Sequence, residues 1–154
     1  MKIPHRLKIA LIAMGGVALG IQLIPAARSN PPVVRELAWD SPRTLAFARR
    51  ACFDCHSNET RWPWYSYVAP VSWLIARDVK GARDHLNFSE ISAEDRAEPL
   101  AKRIQAGEMP LPKYLALHPE ARLSEAEKTE FIAGLRRSFD LSGLAATETH
   151  ERVH

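Results

Sequence analysis

Cysteine is scarce in this chain of 154 residues, and the two present are too few for a disulfide framework. They also lack the second closely spaced pair that usually completes a tetrahedral zinc site. No stretch sustains the alternation of apolar and polar residues that marks a half-buried strand, which excludes a sheet and the βαβ setting of a thioredoxin-like redox pair. Internal repeats and low-complexity tracts are missing as well. An excess of one charge is absent from the body of the chain. Of 21 Lys and Arg, Lys2, Arg6 and Lys8 precede an apolar run, leaving 18 against 18 Asp and Glu. That balance, with basic pairs as short as Arg49-Arg50 and Arg136-Arg137, gives no phosphate-tracking surface and implies no nucleic-acid partner.

Both cysteines fall in one motif, Cys52-Phe53-Asp54-Cys55-His56. This is the C-x-x-C-H pattern of covalent haem attachment, and shuffling the composition produces it only about once in two thousand chains. On a helical turn, thiols three residues apart project from one face, each placed to form a thioether with a haem vinyl group. His56 is then positioned as the proximal iron ligand. The competing readings are a Cys52–Cys55 disulfide or redox pair, half of a zinc site, or two ordinary buried thiols.

The apolar run from Ile9 to Ile24 is interrupted only by glycines and Gln22 and follows a positively charged start. It reads as a membrane-targeting segment, with Pro25, Ala26 and Ala27 extending it toward the ~20 residues that cross a bilayer. Pro25 spoils a small-x-small cleavage site before the cut expected after Ala27, so residues 1–27 are expected to be an uncleaved anchor, with a removed signal as the alternative. Basic residues stay on the cytoplasmic side. The remainder should therefore face the periplasm, from a single pass through the bacterial inner membrane, where haem attachment to thiols takes place.

Residues 28–38, carrying Ser29, Asn30, Pro31 and Pro32, are expected to be a linker, residues 39–139 the domain, and residues 140–154 a polar, loose tail. Helical spacing predicts an all-α domain. Asp40 or Ser41 caps a first helix with Pro42 in its first turn and Leu45, Phe47, Ala48 and Ala51 inward. A second starts at Pro70 with Val71, Leu74, Ile75, Val79 and Ala82 as its core stripe. Ser92 and Asp95 resemble the capping box of a third, which buries Leu100 and Ile104 and stops at Gly107. Ser124 and Glu127 open the last, whose core residues are Phe131, Ile132 and Leu135. Trp39 and Trp73 are assigned to packing.

The second axial position has Met109 as its leading candidate, because it sits in the proline-bearing loop Gly107-Glu108-Met109-Pro110-Leu111-Pro112 directly after a helix. Proline restricts such a loop and lowers the entropy lost on holding a thioether against iron. Filling a core gap is the bland alternative. His85 and His118 compete as ligands, and an open site is the remaining option. Trp62, Trp64 and Tyr65, with Pro63 and Tyr67, form an aromatic cluster suited to walling a flat cofactor from water. Arg61 or Arg77 is placed to reach a haem propionate.

Read together, C-F-D-C-H-S-N-E-T-R-W-P-W from Cys52, then Y-S-Y-V-A-P-V-S-W-L, G-A-R-D-H-L-N-F-S and M-P-L-P-K-Y-L-A-L-H-P-E-A-R-L-S resemble the bacterial haem-binding domain family of small cytochrome c-like proteins. The resemblance spans roughly residues 35 to 138. It implies a compact helical domain with one covalent haem c, held through Cys52 and Cys55 with His56 as proximal ligand. Similarity to ordinary class I cytochromes, which often place a ligand methionine before proline, supports Met109. The expected role is a non-enzymatic single-electron carrier serving a periplasmic or membrane redox partner. The alternatives are a haem enzyme or sensor whose open distal site takes peroxide or a diatomic gas, and a C-x-x-C thiol or metal protein without haem.

Overall fold

The computed structural model describes the backbone of residues 4–151 and the side chains of residues 4–143, so Lys2 and the end of the expected tail lie outside the described residues. The elements are α1 (His5–Gly20), α2 (Pro42–Ala51), α3 (Phe53–His56), α4 (Val71–His85), α5 (Ala97–Gln105), α6 (Pro112–Leu115) and α7 (Glu125–Glu151). Among the described residues there is no strand, only one bridge between Arg35 and Glu90. The fold is all-α, as the spacing predicts.

Local signals set the starts of α2 and α7 and the end of the α5 segment. Ser41 caps α2 by accepting from the Thr44 amide at 3.2 Å, with Pro42 at the first helical position. Before α7 the Ser124 amide donates to Glu127 Oε2 at 2.8 Å, while the Glu127 amide donates back to Ser124 Oγ at 3.3 Å. Gly107 ends the α5 segment with φ at +72°, a conformation that costs glycine nothing. Phe47, Phe88, Ile104, Phe131 and Leu135 are buried where α2, α5 and α7 meet. Trp39 packs against this core, 5.9 Å from Phe53 and 5.3 Å from Phe88 between ring centroids.

Four expectations are corrected. Ser92 and Asp95 do bond, through the Ser92 amide and Asp95 Oδ2 at 2.8 Å, but they close a turn, and α5 begins only at Ala97. The tail expected from residue 140 continues as helix to Glu151, because Ser142 is buried and accepts from the Ala38 amide at 3.0 Å. Residues 28–38 are not a free linker: Leu37 lies in the core, and the amides of Val34, Arg35 and Leu37 donate to the carbonyls of Ser89, Ser89 and Phe88. On α4 only Ser72 and Val79 are buried, while Val71 and Leu74, expected inside, face outward.

A buried polar clasp fixes the turn that follows α3. The Phe88 amide donates to the His56 carbonyl at 2.8 Å, and the Asn58 amide donates to Ser89 Oγ at 3.0 Å. Asn87 Nδ2 donates to Asn58 Oδ1 at 2.8 Å, and Asn58 Nδ2 reaches the Pro32 carbonyl at 3.0 Å and Glu90 Oε1 at 2.6 Å. Arg83 extends the clasp by donating to the carbonyls of Ser57 and Ser29 at 2.8 and 2.9 Å. Every polar atom of the Asn58 side chain is used, which is what a polar side chain only 3% exposed requires.

Two consequences are measurable as shifts in urea unfolding of the full chain in detergent. Asn58→Ala strands the Asn87 donor and the Pro32 acceptor and is expected to cost at least ~1–3 kcal/mol. The isosteric Asn58→Asp should cost no less, since it sets a carboxylate against the Pro32 carbonyl and Glu90. At the α2–α7 contact, a Cβ on Gly134 would fall 2.8 Å from Thr44 Cγ2 and 3.0 Å from its Cβ. Overpacking of about 1–3 kcal/mol outweighs the ~1 kcal/mol helix preference of alanine, so Gly134→Ala is expected to destabilise. Adding Thr44→Ala should cost less than the sum of the two single changes.

Candidate functional site

The C-x-x-C-H motif is split between two environments. Cys52 terminates α2 with its amide on the Ala48 carbonyl at 2.8 Å, and the His56 amide closes the next turn on the Cys52 carbonyl at 2.8 Å. This one-turn geometry sends Phe53 into the core, where it stacks on Phe88 with centroids 5.8 Å apart. Cys52, Cys55 and His56 face instead a mostly apolar cavity of about 500 Å³. That volume lies within the ~300–1,000 Å³ typical of cofactor sites.

Other walls of the cavity come from Ala82 and His85 on α4, Leu100 and Arg103 on α5, and the loop carrying Met109, Pro110, Leu111 and Tyr114. Three attachments hold that loop in place. The Met109 amide donates to the Arg103 carbonyl at 3.3 Å, Lys113 Nζ to Asp78 Oδ2 at 2.6 Å, and the Tyr114 hydroxyl to Asp54 Oδ2 at 2.8 Å. Asp54, the second variable residue of the motif, thus ties the methionine loop to α3. Met109 also packs against the hydrophobic core, so gap-filling and ligation are compatible roles.

The His56 ring is oriented from behind. Its Nδ1 donates to the Leu86 carbonyl at 3.0 Å, which selects the tautomer with a lone pair on Nε2. Burial holds its pKa below the ordinary histidine value, against the opposing pull of the Leu86 and Ala82 carbonyls. The imidazole is therefore a neutral donor at physiological pH. Burial pushes the Cys52 thiol up to about 12, and burial with the nearby Asp54 pushes Cys55 up to about 11. This is the reverse of the lowered thiol pKa that drives C-x-x-C redox exchange. Both thiols are free, and among the described residues no group of three or more His, Cys, Asp or Glu is placed to hold a metal ion.

The histidine candidates separate. His85 lines the cavity, with Nδ1 donating to the Gly81 carbonyl at 2.8 Å. His118 lies outside the lining with both nitrogens engaged: Nδ1 donates to Glu120 Oε1 at 3.2 Å and Nε2 accepts from the Tyr65 hydroxyl at 2.6 Å. Tyr65 is held there, and neither it nor Trp62 nor Trp64 lines the cavity; Trp64 is 78% exposed. The aromatic wall expected from these three is replaced by aliphatic residues and Tyr114. Arg61 is bound to Asp54, and Arg77 does not contribute, whereas Arg96 and Arg103 do line the cavity. Arg49 and Arg50 pair within the domain, with Glu59 at 3.0 Å and Glu127 at 2.7 Å.

Tyr114, Asp54, Arg96 and Arg103 are the site residues that sequence reasoning missed. Asp54 and Tyr114 are 60 positions apart, so no local spacing pairs them. The donor set fits haem: two sulfurs and an imidazole nitrogen on one turn, a thioether on a pinned loop, and apolar walls with arginines among them.

The haem-binding domain family matches residues 16–137, from within the N-terminal segment to near the middle of α7. No curated protein and no solved structure matches. Covering most of the chain, and with the C-x-x-C-H motif facing a cofactor-sized cavity, that match places the chain in the haem-binding domain family.

Proposed function

We propose that this protein is a c-type cytochrome that carries single electrons at the outer face of the bacterial inner membrane, held there by α1. The observation that carries the reading is the convergence of Cys52, Cys55, His56 and Met109 on one cavity. Haem, when bound, supplies a one-electron ferric/ferrous couple. Cys52 and Cys55 hold it by adding each S–H across a vinyl group. His56 binds through Nε2 while its Nδ1–H stays on the Leu86 carbonyl, which keeps the ring aligned and makes it a stronger donor. Met109 would offer a thioether donor to the iron from its pinned loop. Arg96 and Arg103 are placed to receive propionates, and the apolar walls exclude water and favour the less charged state.

Membrane attachment is supported by the helix over His5–Leu23, which is long and apolar enough to cross a bilayer, lies wholly outside the core, and carries the basic Arg6 and Lys8 in its first turn. A signal sequence passes the same test, and N-terminal sequencing of mature protein distinguishes the two. Tethering raises the local concentration of the carrier at membrane redox proteins, the partners this reading requires.

A second reading draws on His85, which lines the same cavity: an exchangeable distal position taking peroxide or a diatomic gas, with His85 as a proton donor. Absorption spectra of the full chain, produced in a host competent for haem attachment, decide between the two. Met109→Ala is expected to abolish the methionine-to-ferric-iron charge-transfer band and to open the iron to exogenous ligands. An unchanged spectrum would remove Met109 from the iron and favour the second reading.

Attachment is tested separately. Wild-type protein should retain porphyrin after denaturation and show one added haem by mass. Cys52→Ala and Cys55→Ala should each retain a single thioether, and the double variant should lose the cofactor on denaturation. Unmodified thiols in mature wild-type protein would refute covalent attachment.

A further inference from the structure

We infer that the exposed apolar face formed by Trp64, Tyr67, Val68, Val71 and Leu74 rests in the head-group region of the bilayer that α1 crosses, so that the domain is seated on the membrane in one orientation. The inference rests on the spanning role of α1 given above and adds to it a second, independent contact with lipid.

The face is unusual for a small domain. Trp64, Tyr67 and Leu74 are 78%, 59% and 58% exposed, and Val68 and Val71 lie between them in the chain, also exposed. These residues occupy the 3-10 turn Trp64–Tyr67 and the first turn of α4. Exposed apolar side chains close together in the chain, with tryptophan and tyrosine among them, have the composition of membrane–water interfaces.

Its occupant follows from where the anchor ends. Gln22 Nε2 donates to the Ala69 carbonyl at 3.1 Å, and the Ala69 amide donates back to Gln22 Oε1 at 2.9 Å. Trp73 Nε1 donates to the Ile24 carbonyl at 3.2 Å, and Arg28 donates to the Ser66 carbonyl at 2.9 Å with its guanidinium 4.2 Å from the Tyr67 ring centroid. Residues 22–28 are the point at which the spanning segment leaves the bilayer. Every one of these contacts lands between residues 66 and 73, so the apolar face stands at the same depth as the end of the helix, beside the exposed Leu23 and Ile24. Arg77, exposed on the following turn of α4 and without an ion-pair partner among the described residues, is placed to meet lipid phosphate.

The consequence concerns the cavity. Ala82, which lines the cavity, lies eight residues, or ~12 Å of helix, beyond Leu74 on α4. Seating this face would fix the orientation of the haem site relative to the membrane surface.

The test uses full-length, haem-loaded protein in phospholipid nanodiscs, with a photo-crosslinking benzophenone amino acid in place of Leu74, of Met14 in α1, or of Thr129, which is exposed on α7. Lipid adducts are read by mass spectrometry. The expected result is adduct formation at Leu74 close to that at Met14 and several-fold above that at Thr129. Adducts at Met14 with only the Thr129 level at Leu74 would overturn the seated orientation and leave the spanning reading intact. Crosslinking of Leu74 to a second protein chain would overturn it in favour of a covering copy. Absence of lipid adducts at Met14 would remove the spanning reading itself, and this inference with it.

Discussion

The site depends on the clasp between residues 56–58 and 86–90. It joins two segments that are far apart in the chain through five buried or half-buried groups: the His56 carbonyl and ring, the Asn58 backbone and side chain, and Ser89 Oγ. The Leu86 carbonyl bonds the His56 ring, and two residues later the Phe88 amide bonds the His56 carbonyl, so one short segment holds both the ring and the backbone of His56. A side-chain nitrogen is held in one orientation when the groups behind it are committed to their own partners.

That clasp also explains the division of labour within the motif. With the backbone of α3 fixed, the spacing of a single helical turn sends Phe53 onto Phe88 and leaves Cys52, Cys55 and His56 facing the cavity. The aromatic contact anchors the turn in the core, and the polar contact sets its rotation. The methionine loop is positioned differently, by reaching out: Tyr114 to Asp54 on α3 and Lys113 to Asp78 on α4. Burial raises the Tyr114 pKa and the bond to Asp54 raises it further, so the phenol keeps its proton and its grip on the carboxylate.

Legibility in the sequence followed the range of the interaction. Ser41, Gly107 and the Ser124–Glu127 pair act within four residues, and each marks a boundary that can be read directly. The attachment motif is equally local, and it faces the cavity as its spacing implies. Long-range contacts were opaque. Trp62, Trp64 and Tyr65 follow His56 closely in sequence, yet the chain turns away from the cavity there, and Tyr65 instead bonds His118 across 53 positions. The apolar stripe of α4 was legible as a stripe but not as an outward one, since periodicity reports that a face is apolar and not what covers it. Residues 28–38 looked like a tether because prolines and polar residues suit one, but Leu37 and the backbone bonds to residues 88–91 make them part of the domain.

That last correction changes what membrane attachment means physically. A flexible linker would let a carrier sample many orientations, raising its concentration near partners without aligning its site. Here no free linker intervenes: Gln22 bonds Ala69, Arg28 bonds Ser66, Asn30 bonds Thr60, and Leu37 is buried, so contacts with the domain begin within the last residues of the apolar segment and recur along the connection. Arg83 bonds this connection through the Ser29 carbonyl and Asn30 Oδ1, and also bonds the Ser57 carbonyl beside His56. One guanidinium therefore links the segment that follows the apolar helix to the turn that presents the imidazole. The placing of the N-terminal apolar segment and the placing of the site within the domain are, in this fold, parts of the same hydrogen-bonded structure.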